Sequence, residues 1–133
     1  MGEDTEEERR TRASVGRLYD AYFAGDAMGM VDTMSDDVWV RFLGQVDFRG
    51  KDEARSFFGA NTPMLVDLEF SIRSLIIDGP HAAAIWEERA TTIHGDAYAN
   101  HGVDVFRVEN DEITMVHENN DIRIHRRHFG DRR

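Results

Sequence analysis

Four consecutive stretches in which apolar residues recur at every second position, 66–77, 82–94, 97–109 and 112–124, confine this chain more than any other feature. Alternation of period two buries one face of a ribbon and leaves the other out. The stretches are separated only by Asp78-Gly79-Pro80, Gly95-Asp96 and Asn110-Asp111. Such short reversals join antiparallel neighbours. In the first stretch the apolar phase runs Val66, Leu68, Phe70, Ile72 and then moves to Leu75 and Ile77, which predicts a bulge near Ser74 and a bent sheet. Upstream the period lengthens. Val15, Leu18, Tyr19, Tyr22 and Phe23 mark one buried helix face before Gly25. Asp26 can cap a second, short helix burying Met30, Val31 and Met34, which Ser35, Asp36 and Asp37 end. A strand is expected over Val38–Leu43, and a third helix, capped by Asp52 and carrying Ala54, Phe57 and Phe58, before Pro63. The expected architecture is α+β: three N-terminal helices on the concave face of a curved antiparallel sheet, with a pocket between the layers.

At 133 residues, one domain is expected, over 13–129, after a flexible segment 1–12 and before a solvated tail 130–133 in an arginine-rich C-terminal region. A net charge of −10 argues against a surface built to neutralise phosphates, so nucleic acid is not an expected partner. With no cysteine there is no disulfide, thiolate metal site or cysteine nucleophile. No run approaches the ~20 apolar residues of a membrane span, and the charged start does not read as a leader; a cytoplasmic protein is expected. His125 and His128 lack a third ligand at fixed geometry, so neither metal nor organic cofactor is expected. Nor is there a glycine-rich phosphate loop or a serine elbow.

If Gly95-Asp96 and Asn110-Asp111 are both two-residue turns, the register places Glu87, Asp104 and His117 in one row across three strands. The next row holds Arg89, Gly102 and Asn119, and the third Thr91, Asn100 and Asp121. On the last strand this face starts apolar at Ile113 and Met115 and turns polar at His117, Asn119 and Asp121. A wall of a half-open pocket has that character. Asp104 would orient His117 or donate to an oxyanion, Arg89 would hold developing negative charge, and Asp121 and His117 would exchange protons. Gly102 would leave space for a ligand. Trp39, Arg41, Tyr19, Tyr22, Glu87, Asn100 and Asn119 complete the expected substrate-binding set. Each also has an ordinary reading, as packing aromatics or as a satisfied polar network.

The order of elements, with GVDVFRV at 102–108, ENDEIT at 109–114 and HENND at 117–121, resembles the SnoaL-like polyketide cyclase group of the nuclear transport factor 2-like superfamily, over about 15–129. The resemblance implies a cone-shaped fold with a pocket and places an aspartate, here Asp121, facing that pocket. Two relatives share parts. Asp104 matches the acid of the ketosteroid isomerase oxyanion hole, although Leu18 and Phe42 stand where those enzymes carry a tyrosine and the general-base aspartate. Glu88-Arg89 and Asp121 match limonene epoxide hydrolases, with Thr91, Trp39 and Arg41 replacing the middle aspartate, a tyrosine and an asparagine.

The function expected is cofactor-independent acid–base chemistry, whether cyclisation, isomerisation, dehydration or hydrolysis, on a small and mostly apolar molecule. The alternative is a non-catalytic ligand-binding or dimerisation module on the same fold. A homodimer is expected through the outer sheet face, assigned here to Trp86, Val103, Val105 and Val116.

Overall fold

The computed structural model describes residues 2–130. Helix α1 (Glu6–Phe23) starts earlier than its hydrophobic stripe because Thr5 and Glu8 form a reciprocal capping box. Most of the segment expected to be flexible is therefore helical. Helix α2 (Ala27–Asp32) is capped by Asp26, and Met34 belongs instead to β1 (Met34–Phe42). A short strand unforeseen in the sequence, β2 (Val46–Arg49), folds back on β1 before α3 (Lys51–Asn61) and a single tight turn, Thr62–Met64. Strands β3 (Leu65–Asp78), β4 (His81–Thr92), β5 (Ala97–Glu109) and β6 (Glu112–Asn120) follow the four alternating stretches. After Asn120 the chain leaves the sheet, and 122–129 form helix α4 (Ile122–Phe129) rather than more strand. Asp131 onward, most of the expected tail, lies outside the described residues.

The sheet order is β2-β1-β6-β5-β4-β3. It is antiparallel except between the second and third strands of that order, where β1 runs parallel to β6. On β3 a bulge at Arg73 lets the pairing step from Ile72–Trp86 to Ser74–Ile85. Both Ile72 and Leu75 thereby stay on the inner side, against the core. The sheet curls around α1, α2 and α3, whose Val15, Leu18, Tyr19, Met30, Val31, Ala54 and Phe58 meet Val38, Val40, Phe106, Ile113 and Val116. The fold is α+β with helices against the concave face, as expected, plus α4 at the open end. Among the described residues, no helix is long and apolar enough to cross a membrane.

Two local features set which side chains reach the concavity. The β4–β5 reversal has three residues, Ile93-His94-Gly95, rather than two. The Thr92 amide donates to the Asp96 carbonyl, Thr92 Oγ1 accepts from the amides of His94 and Asp96, and Gly95 takes a positive φ of 91°. The β5–β6 reversal is the expected two-residue turn, with positive φ at Asn110 and Asp111. Thr114 then bulges out of β6, so that Val108 pairs with Ile113 but Arg107 with Met115. Each feature changes register by an odd number of residues, and an odd change turns a strand's side chains to the other face.

Candidate functional site

Strand β5 keeps the expected orientation, whereas β4 and β6 are reversed relative to it. Asp104 stands between Ala84 and Glu118, Gly102 between Trp86 and Asn120, and Asn100 beside Glu88. The rows expected to join Glu87, Asp104 and His117, or Arg89, Gly102 and Asn119, do not form. Glu87, Arg89, His117 and Asn119 lie on the outer face.

What the inner face assembles is a set of three carboxyl groups. Asp104 is buried and fully bonded: the Tyr19 hydroxyl donates to Oδ2 at 2.6 Å and Trp86 Nε1 to Oδ1 at 2.9 Å. Glu88, also buried, accepts from the Tyr22 hydroxyl at 3.1 Å through Oε1. Glu118 faces Asp104 across the β5–β6 ladder and accepts from Asn120 Nδ2 at 2.8 Å through Oε2. Tyr19 and Tyr22 lie on the buried side of α1, which explains why the helical stripe there contains hydroxyls rather than only aliphatic groups.

These acids line a cavity of about 130 Å³ between the helices and the sheet, walled by Leu18, Met30, Phe42, Phe58, Phe70 and Phe106 and closed from the α4 side by His125 and Phe129. Phe42 and Phe58 of the wall pack edge to face with each other and with Phe57, centroids 4.8–5.9 Å apart, without filling the space. In an apolar, weakly polarisable setting the charged form of an acid is disfavoured. Burial raises Glu88 to about 7, despite the Tyr22 hydroxyl that opposes the shift. Burial likewise raises Asp104 to about 6, held down by Tyr19 and Trp86. Glu118 rises well above the carboxylate range, first through burial and then through repulsion from Asp104 and Glu88. Tyr19 and Tyr22 are raised by burial and by the adjacent carboxylates, so they stay neutral donors. All three acids thus hold a proton more readily than a carboxyl in water does.

The other expected site residues are placed differently. His117 is buried on the outer face against Trp39, ring centroids 4.3 Å apart, with no hydrogen-bond partner for Nε2 among the described residues; burial and then the charge of Arg41 lower its pKa. Trp39 donates from Nε1 to Asp47 at 2.7 Å and has the Arg41 and Arg49 guanidinium groups over its ring, so both Trp39 and Arg41 lie outside the cavity. Arg89 is exposed, and Glu87 pairs with Arg73 at 3.0 Å. Asn119 Nδ2 donates to the Val103 carbonyl. Asp121 caps α4, accepting from the Arg123 amide at 3.0 Å, and is not in the cavity wall. Asn100 holds the β6–α4 junction: its Oδ1 accepts from the Asp121 amide and its Nδ2 donates to the Tyr98 hydroxyl. Gly102 leaves no room for a ligand. A Cβ there would come within 2.3 Å of the Asn119 carbonyl oxygen and 2.7 Å of the Trp86 ring, so its bareness lets that indole cross the strand to reach Asp104. Trp86 and Val116, expected outside, point inward.

Sequence reasoning missed Glu118, Glu88 and Trp86. A signal for the first was present. Ile113 and Val116 are both core residues three positions apart, a spacing only a bulged strand can bury on one side.

Helices laid over a curled mixed sheet, with a cavity between the two layers, define the nuclear transport factor 2-like fold class. Within that class the SnoaL-like domain matches residues 15–116, and the chain belongs to that family. A protein of Jannaschia sp. CCS1 assigned to the SnoaL-like polyketide cyclases superposes with a TM-score of 0.85 at 13% identity, covering 98% of each chain. An LEH-like epoxide hydrolase of Mycobacterium tuberculosis gives 0.75 at 16%, over 89% of this chain and 87% of the other. The Δ5-3-ketosteroid isomerase of Mycobacterium sp. gives 0.74 at 20%, over 86% and 95%. No curated protein matches the sequence significantly.

Proposed function

We propose that the chain is a small-molecule enzyme doing acid–base chemistry in the inner cavity, through Glu118, Glu88 and Asp104 rather than through the outer-face histidine. One observation carries this reading: three carboxyl groups from three adjacent strands converge in an aromatic-walled cavity, and burial separates their protonation behaviour. Paired titratable groups pushed apart by their surroundings divide acid from base duties. Glu118, kept protonated, donates its O–H to a substrate carbonyl or hydroxyl oxygen as negative charge develops there. Glu88, near 7, takes a proton from the substrate and returns it at another position. Asp104 is a fixed anion whose two donors keep it in place. The balance suits isomerisation, cyclisation or dehydration. Family membership and the similarity to a cyclase, an isomerase and an epoxide hydrolase fit that class of chemistry. A cavity of about 130 Å³ suits a body of about one ring, since ~150 Å³ holds a benzene.

The test is turnover of small enones, epoxides and polyketide-like esters. Glu118→Gln should lower kcat by about 10²-fold or more, while His117→Ala stays within about twofold of wild type. Undiminished turnover in Glu118→Gln would refute the assignment.

The outer face bears Ile85, Val103, Val105 and Met115 among charges of both signs, and we propose that a second copy of the chain covers it. Light scattering should give a dimer mass for wild type and a monomer for Val105→Glu.

A further inference from the structure

Among the described residues no lysine or arginine lines the cavity to balance its acids. The titratable groups facing it are Tyr19 and Tyr22 from α1, Glu88 from β4, Tyr98 and Asp104 from β5, Glu118 from β6 and His125 from α4. A low-dielectric space with several carboxyls strongly disfavours a ligand carboxylate or phosphate. Hydrogen-bond accounting narrows the choice further. Asp104 has a donor on each oxygen, but Glu88 receives one only at Oε1 and Glu118 only at Oε2. Among the described residues nothing donates to Glu88 Oε2 or Glu118 Oε1. Glu88 is only 7% exposed, so its second oxygen depends on whatever enters the cavity.

A ketone or ether oxygen can only accept, and satisfies such an oxygen only while the acid holds its own proton. An ammonium group carries three donors and a positive charge and satisfies the acids when they are ionised. Tyr22, Phe70, Trp86 and Tyr98 also line the cavity, and aromatic rings attract a cation held within about 6 Å of them. Building on the cavity as the ligand site proposed above, we infer that it selects a ligand with a protonated primary amine on a body about one ring in size. Alcohols and carboxylates of the same shape are rejected in proportion. The cation favours ionised carboxyls around it, so binding releases protons from Glu88 and Glu118.

Titration calorimetry with benzylamine, benzyl alcohol and benzoate, in two buffers of different ionisation enthalpy near neutral pH, tests this on the wild-type chain. Benzylamine should bind about tenfold or more tighter than benzyl alcohol, a difference of ~1.4 kcal/mol, with net proton release, and benzoate should not bind. Glu88→Gln and Glu118→Gln, checked for folding by circular dichroism, should lose the preference for the amine. Equal or tighter binding of the alcohol or of benzoate, or no binding of benzylamine at millimolar concentration, overturns the inference. Its failure is separable from that of the proposed function. Turnover of neutral substrates without amine preference sinks only the inference, whereas amine preference without turnover sinks only the enzyme.

Discussion

The two faces of the β4–β5–β6 ribbon are built from alternate residues of the same strands, yet they behave as different materials. Inside, Glu88, Asp104 and Glu118 are held by hydroxyl, indole and amide donors in an aromatic wall, and their acidity is weakened. Outside, Glu87 pairs with Arg73 in water, where both side chains are more than half exposed. Position on the pleat, more than residue type, decides whether a carboxyl here is chemically poised or merely solvated.

The contrast is sharpest in stability. Phe106 is fully buried beneath α1, its ring edge-on to Tyr19 at 5.8 Å. Phe106→Ala should cost about 3–5 kcal/mol, read as a fall in the urea midpoint, whereas Val105→Ala, one residue along on the outer face, should cost much less. Next comes pH. Glu88 rises from 4.5 in the unfolded chain to about 7 when folded, so its protonated form favours folding. Its contribution is complete below about 4.5 and is lost as pH rises through about 7, roughly 3 kcal/mol in all. Asp104 and Glu118 act in the same direction. On the outer face His117 has the opposite sign, because a lowered histidine loses stability as pH falls. Denaturant midpoints should therefore decline from pH 5 to pH 8, and Glu88→Gln should flatten that decline; a rising midpoint in wild type would contradict the inner-face account. Trp86→Phe removes one donor from Asp104 and should cost about 1–3 kcal/mol, while raising the Asp104 pKa seen by carboxyl NMR. The smallest effect is expected outside: a double-mutant cycle on Arg73 and Glu87 should give less than about 1 kcal/mol and vanish in high salt.

Much of the fold was legible because element type follows from apolar spacing. The stripe of α1, the cap at Asp26, the bulge on β3 and the Asn110-Asp111 turn all appear where residue chemistry demands them. The site was harder to read because a face depends on the parity of register, and parity depends on single residues. One extra residue at the Gly95 reversal and the outward step at Thr114 each inverted a neighbour of β5. Asp104, on β5 itself, kept its predicted face, and so did Tyr19 and Tyr22, whose orientation is fixed by the helix alone. Helix α4 was hidden because Ile122 and Ile124 continue the alternation of β6; only Ile122, His125 and Phe129 together show the helical period.

The parallel contact between β1 and β6 joins residues 34–42 to residues 113–118 within one sheet. Closing such a long loop is slow compared with forming local hairpins. On a ribosome, β1 would emerge well before the strand it must lie against, leaving the backbone N–H and C=O groups of that edge unpaired while the β3–β4–β5 meander assembles. Premature self-association of nascent chains should therefore centre on that first strand.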